Sequence, residues 1–154
     1  MIFNNVNYTQ QRGKFYCVPT ALCNAYKHYG EKISYRKHYN NLLDFLDTNQ
    51  ERGTRNKYFL KIVKDLDFLK TKVVHKTTVH KMKQHLDNNG IIFFIFMANT
   101  GGYHCSLIIR NNKNEFTFIN YYTGKTITLV KHNVVDFHLS FPHICIYAER
   151  KYEN

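Results

Sequence analysis

Residues 11–30 read QRGKFYCVPTALCNAYKHYG, and this stretch decides the fold. Pro19 stands where a first-turn proline is tolerated, because the amide it lacks would have no partner inside a helix. Leu22, Ala25, Tyr26 and Tyr29 recur at i, i+3, i+4 and i+7, and Gly30 follows as a stop signal. The spacing predicts a helix with Cys17 at its N-terminus. A thiol attacks only as thiolate, and the unpaired N–H groups and dipole of a helix N-terminus favour that anion. Cys23 falls inside the same helix, about 240° further round at 3.6 residues per turn, so the two thiols face different ways.

Working outward, the next segments also carry helical spacing. One helix is expected after Ser34, with Tyr39, Leu42, Leu43 and Leu46 inward, and one after Thr54, with Phe59, Ile62, Val63 and Leu66 inward. Another begins near Thr78, presents Val79, Met82 and Leu86, and ends at Asn89-Gly90. After Gly90 the period changes to that of strands: Ile91 to Met97, Tyr103 to Arg110, Glu115 to Tyr121, Thr126 to Lys131 and His143 to Ala148. Turn residues such as Asn111 to Asn114 and Thr123-Gly124 separate them. Helices followed by a mostly antiparallel sheet define an α+β chain, whose first helix can lay its apolar stripe on the sheet.

A base for the thiol is expected at His104. It follows Thr100-Gly101-Gly102-Tyr103, where glycine permits close approach of another backbone, and it opens a strand in which His104, Ser106 and Ile108 share a face. In the next strand Phe116, Phe118 and Asn120 share a face. With a three-residue loop, Asn111 to Lys113, Arg110 would pair with Asn114 and His104 would lie opposite Asn120, their Cβ atoms about 4.5 to 5.5 Å apart. A two- or four-residue loop would turn Asn120 to the other face, so an odd loop or a compensating bulge is predicted. A developing oxyanion also needs donors, and the backbone N–H of Cys17 with a side-chain amide at Gln11 or Gln10 would supply them. Cys105 and Cys145 lie in apolar strands and read as packing residues.

The chain of 154 residues suits one domain spanning 1–154. Its 44% hydrophobic and 16% aromatic residues are those of a folded protein. The longest uncharged apolar run, Ile91 to Ala98, falls well short of the roughly 18 residues that cross a bilayer. No signal peptide is read in the first residues, which points to the cytoplasm and to free thiols. No Cys or His pair has zinc-finger spacing, so no metal and no cofactor is expected. The net charge of +11 favours an acidic partner. The lysines are spread from Lys14 to Lys151 without a dense block, so nucleic acid is not expected as the main partner.

Gln11, five residues, Cys17-Val18-Pro19-Thr20-Ala21-Leu22 and a helix ending Tyr29-Gly30 resemble the nucleophile block of the papain-like peptidases that cleave double-glycine leaders from bacteriocins, and of their stand-alone relatives. Tyr103-His104 with Asn120 sixteen residues on is similar to that family's second block. The resemblance implies a papain-like fold, Cys17 for attack, His104 for proton transfer, Asn120 for orienting His104, and Gln11 for the oxyanion. Two positions depart from the pattern. Val18 replaces a glycine beside the nucleophile, and Asn120 stands where aspartate is usual. Val18, Gly102 and Tyr103 are the expected substrate-contacting residues.

The function so implied is thiol-dependent hydrolysis or acyl transfer of a peptide, isopeptide or amide bond, acting on a peptide or protein substrate. The alternative is a catalytically silent papain-like binding module, such as a viral inhibitor in the host cytoplasm, that uses its basic surface to bind an acidic protein or nucleic acid.

Overall fold

Helix α1 spans Cys17–His28 in the computed structural model, which describes residues 6–11, 17–31, 68–97, 102–122 and 124–151. Its end is a Schellman turn, in which Gly30 takes φ 70°, its N–H bonds to the Lys27 carbonyl, and the Glu31 N–H bonds to the Tyr26 carbonyl. A left-handed backbone costs glycine nothing, so the helix stops at Gly30. The two helices expected after Ser34 and after Thr54 lie outside the described residues, as do Thr100 and Gly101.

Among the described residues the remaining elements are β1 (Leu69–Val74), α2 (Val79–Asp87), β2 (Ile91–Met97), β3 (Tyr103–Asn111), β4 (Glu115–Tyr122), β5 (Lys125–Lys131), α3 (His132–Leu139) and β6 (Ile144–Arg150). The strands form one antiparallel sheet in the order β1-β6-β2-β3-β4-β5. This is the α+β layout that the change of period predicts. Thr78 caps α2, its hydroxyl accepting the Lys81 N–H at 3.2 Å. Asn89, not Gly90, takes the left-handed position that ends α2 (φ 65°), and the Gly90 N–H closes the turn on the His85 carbonyl.

Sequence reasoning missed two elements. β1 reads LKTKVV, alternating Lys70 and Lys72 with Leu69, Thr71 and Val73, and among the described residues it pairs only with β6, at a sheet edge where lysines are tolerated and discourage further pairing. α3 is eight residues long, has no side-chain cap and buries Val135 alone, so it lacks an amphipathic signal.

The pleat of β2 explains the apolar run at its centre. Ile91, Phe93 and Ile95 join Leu22, Ala25, Leu107 and Ile119 in one core, beneath α1, while Ile92, Phe94 and Phe96 join Met82, Leu86, Phe118 and Val135 in another, beneath α2 and α3. Both faces of the central strand are therefore buried, and no polar residue interrupts it. Leu22 is wholly buried at the α1 interface, where truncation to alanine would cost about 2–5 kcal/mol.

The β3–β4 hairpin differs from the predicted register. Asn111 pairs with Phe116 and Arg110 with Thr117, whereas Ile108 pairs with Phe118 and Leu107 with Ile119. The loop is thus of the parity that would turn Asn120 away, and a one-residue bulge at Ile109 restores it. Continued along the strands, this register sets Asn120 across from Ser106 and not His104. The shift arises because Asn112 closes the turn itself, its N–H bonding to the Glu115 carbonyl and its side chain accepting the Glu115 N–H.

Candidate active site

Cys17 is the first residue of α1 and the one described cysteine that is not fully buried. The backbone N–H groups of Cys17, Val18 and Cys105 act on its sulfur and favour the thiolate, but desolvation outweighs them and the thiol titrates above its ordinary value. The helix N-terminus therefore assists ionisation without completing it. Burial also raises the two strand thiols: Cys145 is pushed up to about 12, and Cys105 lies well above the ordinary range. Cys23 is buried in the α1 core, against which Cys17 also packs.

The sulfur lies against the backbone of the residue that follows His104. The imidazole itself stands edge-on to Phe96 at 5.6 Å, and its Nε2 is 2.7 Å from the carbonyl oxygen of Asn120. A carbonyl only accepts, so Nε2 carries the proton and Nδ1 of the neutral ring is the basic nitrogen. Burial lowers the His104 pKa below the ordinary 6.5, opposed by the Asn120 carbonyl. No hydrogen bond joins the Cys17 sulfur to the His104 ring among the described residues. Both shifts, driven by burial, favour the neutral thiol and the neutral imidazole.

Asn120 was expected to hold His104 through its carboxamide, and here its backbone carbonyl makes that bond. Asn120 has φ 56°, a left-handed conformation that asparagine tolerates better than most residues. β4 breaks its pairing with β5 at this point, between Ile119 and Tyr122. The freed carbonyl accepts from His104 Nε2 and from Ser106 Oγ, the latter at 3.0 Å. Ser106 is a participant the sequence reading named only as a face-mate of His104.

The Asn120 carboxamide turns instead to the N-terminal segment. Its Oδ1 accepts the Gln11 backbone N–H at 3.2 Å, and its Nδ2 donates to the Thr9 carbonyl at 2.9 Å. Gln11 is 5% exposed and so joins the Asn120–His104 group, whereas Gln10 is exposed. Of the expected substrate-contacting residues, Tyr103 is 56% exposed beside His104, and among the described residues no atom lies within 4 Å of where a Cβ on Gly102 would stand. Val18 is 5% exposed and is packed in the core beneath α1, where its branched side chain fills space a glycine would leave empty. Among the described residues no cluster of His, Cys, Asp or Glu side chains is placed to hold a metal ion, and no helix is long and apolar enough to cross a membrane.

No family model and no curated protein matches the chain. Solved structures do. A double glycine motif protease from an AMS/PCAT transporter, solved with its leader peptide, aligns with a TM-score of 0.66 at 14% identity over 96% of this chain and 93% of that one. The peptidase domain of Streptococcus ComA, a bifunctional ABC transporter of a quorum-sensing pathway, aligns at 0.67 and 16% identity over 94% of this chain and all of that one. A C39-like peptidase from Bacillus anthracis aligns at 0.67 and 12% identity over 99% and 98%. At such identities the likeness is one of fold, and the fold is that of the papain-like double-glycine peptidase domains.

Proposed function

We propose that the protein is a thiol-dependent hydrolase or acyltransferase acting on a peptide, isopeptide or amide bond, with Cys17 as nucleophile and His104 as its base. The carrying observation is the bond from His104 Nε2 to the Asn120 carbonyl, which fixes the tautomer whose Nδ1 can take a proton. On this reading Nδ1 accepts the Cys17 proton as the sulfur attacks the scissile carbonyl, and the thioester forms when the leaving amine takes that proton back. The Cys17 N–H and the Gln11 side-chain amide donate to the oxyanion. Exposed Tyr103 and the adjoining Gly102 would receive the substrate chain. Shared fold with peptidase domains, one of them solved with a leader peptide, supports a peptide substrate. The excess of lysine favours an acidic one.

Alkylation with iodoacetamide followed by peptide mass spectrometry tests the assignment. Cys17 is expected to react ahead of Cys23, Cys105 and Cys145, and preferential labelling of any of these would overturn it. The silent binding module has one observation on its side, the un-ionised resting thiol without a bond to the ring. It predicts that Cys17→Ala changes nothing in function, while charge reversal of surface lysines abolishes binding that weakens steeply with salt.

A further inference from the structure

Asn24 is wholly buried in the middle of α1, a position where asparagine is a poor helix former and a buried carboxamide is costly unless bonded. Both ends of its side chain are engaged by one residue: Oδ1 accepts the Thr9 backbone N–H at 2.7 Å, and Nδ2 donates to the Thr9 carbonyl at 3.0 Å. The same carbonyl accepts from Asn120 Nδ2, and the Asn120 Oδ1 takes the Gln11 N–H two residues further on. Lys27 Nζ, one turn along α1, bonds to Thr9 Oγ1 at 2.6 Å and to the Asn7 carbonyl at 2.8 Å. Residues 7–11 are therefore strapped from one side to the nucleophile helix and from the other to the residue that holds His104.

We infer that Asn24 is a positioning residue, which with the Asn120 carboxamide sets the backbone of Thr9 to Gln11 and thereby aims the Gln11 amide at the oxyanion formed on Cys17. The inference rests on the proposed roles of Cys17 and Gln11. A purely structural asparagine would need one satisfied bond for each of its polar ends anywhere nearby. Asn24 instead grips both backbone groups of a single residue, fixing its distance and its rotation relative to α1, while Asn120 fixes the next peptide but one.

The test compares two reactions at the same sulfur, with glycyl-glycinal, a peptide aldehyde that demands no side-chain pocket, and iodoacetamide. Addition of the aldehyde forms a carbon–sulfur bond, breaks the carbonyl π bond and moves the thiol proton to the former carbonyl oxygen, which needs the oxyanion donors. Alkylation forms a carbon–sulfur bond, breaks the carbon–iodine bond to expel iodide and releases the thiol proton to solvent, and it needs no oxyanion donor. Loss of one oxyanion donor costs about a hundredfold or more, so the near-isosteric Asn24→Asp and the smaller Asn24→Ser should weaken aldehyde binding about tenfold or more. Cys17 alkylation should stay within about twofold of the unsubstituted protein, since the thiol keeps its surroundings. In a Gln11→Ala background the Asn24 substitutions should have no further effect, because the donor they aim is gone.

Equal losses in both reactions, or undiminished losses in the Gln11→Ala background, would overturn the inference. In the unsubstituted protein, the Thr9 and Gln11 amides should be protected in hydrogen exchange, and fast exchange at both overturns it without any substitution. If the unsubstituted protein takes up neither reagent at Cys17, the proposed function itself fails. If it takes up both and the Asn24 variants match it, only the role of Asn24 falls.

Discussion

The carbonyl oxygen of Asn120 lies 2.7 Å from Nε2 of His104, while the side chain of the same asparagine faces away and holds the backbone of Thr9 and Gln11. One residue thus joins the proposed base to the segment carrying the proposed oxyanion donor, and its left-handed backbone makes this division possible. Substitution separates the two tasks. Asn120→Gly keeps the conformation and the carbonyl, so the His104 tautomer should persist in imidazole nitrogen NMR, while the carboxamide clamp is lost. Asn120→Ala must carry a Cβ at φ 56° and should be about 1 kcal/mol less stable than Asn120→Gly in denaturant titrations. Equal stability of the two would show that the backbone there is unstrained by a side chain.

The neutral resting pair gives a particular pH signature. The Cys17 thiol titrates above the ordinary 9.0 and His104 below 6.5, both because burial disfavours their charged forms. Iodoacetamide alkylation of Cys17 should therefore climb continuously from neutral pH through pH 9. A rate plateau below pH 7 would instead reveal a thiolate–imidazolium pair and refute the neutral one. Where a substrate is turned over, the acid limb should lie below 6.5, since His104 must lose its proton to accept one.

Much of this arrangement is legible in the sequence because it depends on local rules. The stripe from Leu22 to Tyr29 and the stop at Gly30 specify α1 and put Cys17 at its head, and the parity of His104 and Asn120 leaves them on one face once the Ile109 bulge is counted. What could not be read depends on tertiary context. The register slipped by two because Asn112 builds its own turn, so the ring of His104 meets a carbonyl where a carboxamide was expected. Asn24 gave no signal, since it lies about 200° round the helix from Leu22 and so opposite the predicted apolar stripe, and its partner lies 15 residues away in a segment without periodicity. Val18, expected at the cleft beside the nucleophile, belongs to the core, and the helical angle from Leu22 had already turned it inward.

His28 should make the fold sensitive to acid. It is 7% exposed, its Nδ1 shares a 2.8 Å hydrogen bond with the Tyr8 hydroxyl, and burial lowers its pKa from 6.5 to about 4. The folded state then binds fewer protons than the unfolded chain between these values. The stabilisation is complete above pH 6.5 and is lost as pH falls towards 4, by an amount on the order of 3 kcal/mol if nothing relaxes. Denaturant titrations from pH 7 to pH 4 should show this slope in the unsubstituted protein and a flatter one in His28→Gln. Identical slopes would mean that His28 gains water or a counter-charge on protonation.

Gly90 supplies a test of packing that is independent of the candidate site. A Cβ built there would overlap the His85 ring at Nε2, closer than real atoms approach. That nitrogen is within 2.9 Å of the carbonyls of Ile91 and of Ala148, and the ring stacks on Tyr147 at 4.8 Å, so His85 ties α2 to both β2 and β6. Gly90→Ala must push the ring aside and leave two carbonyls with poorer partners, at a cost of about 1–3 kcal/mol for the overpacking alone. His85→Ala removes the obstacle as well as the bonds. The double variant should accordingly be no less stable than His85→Ala, and the coupling is read from a denaturation cycle of the four proteins. Additive losses would show that the ring and the glycine do not compete for the same space.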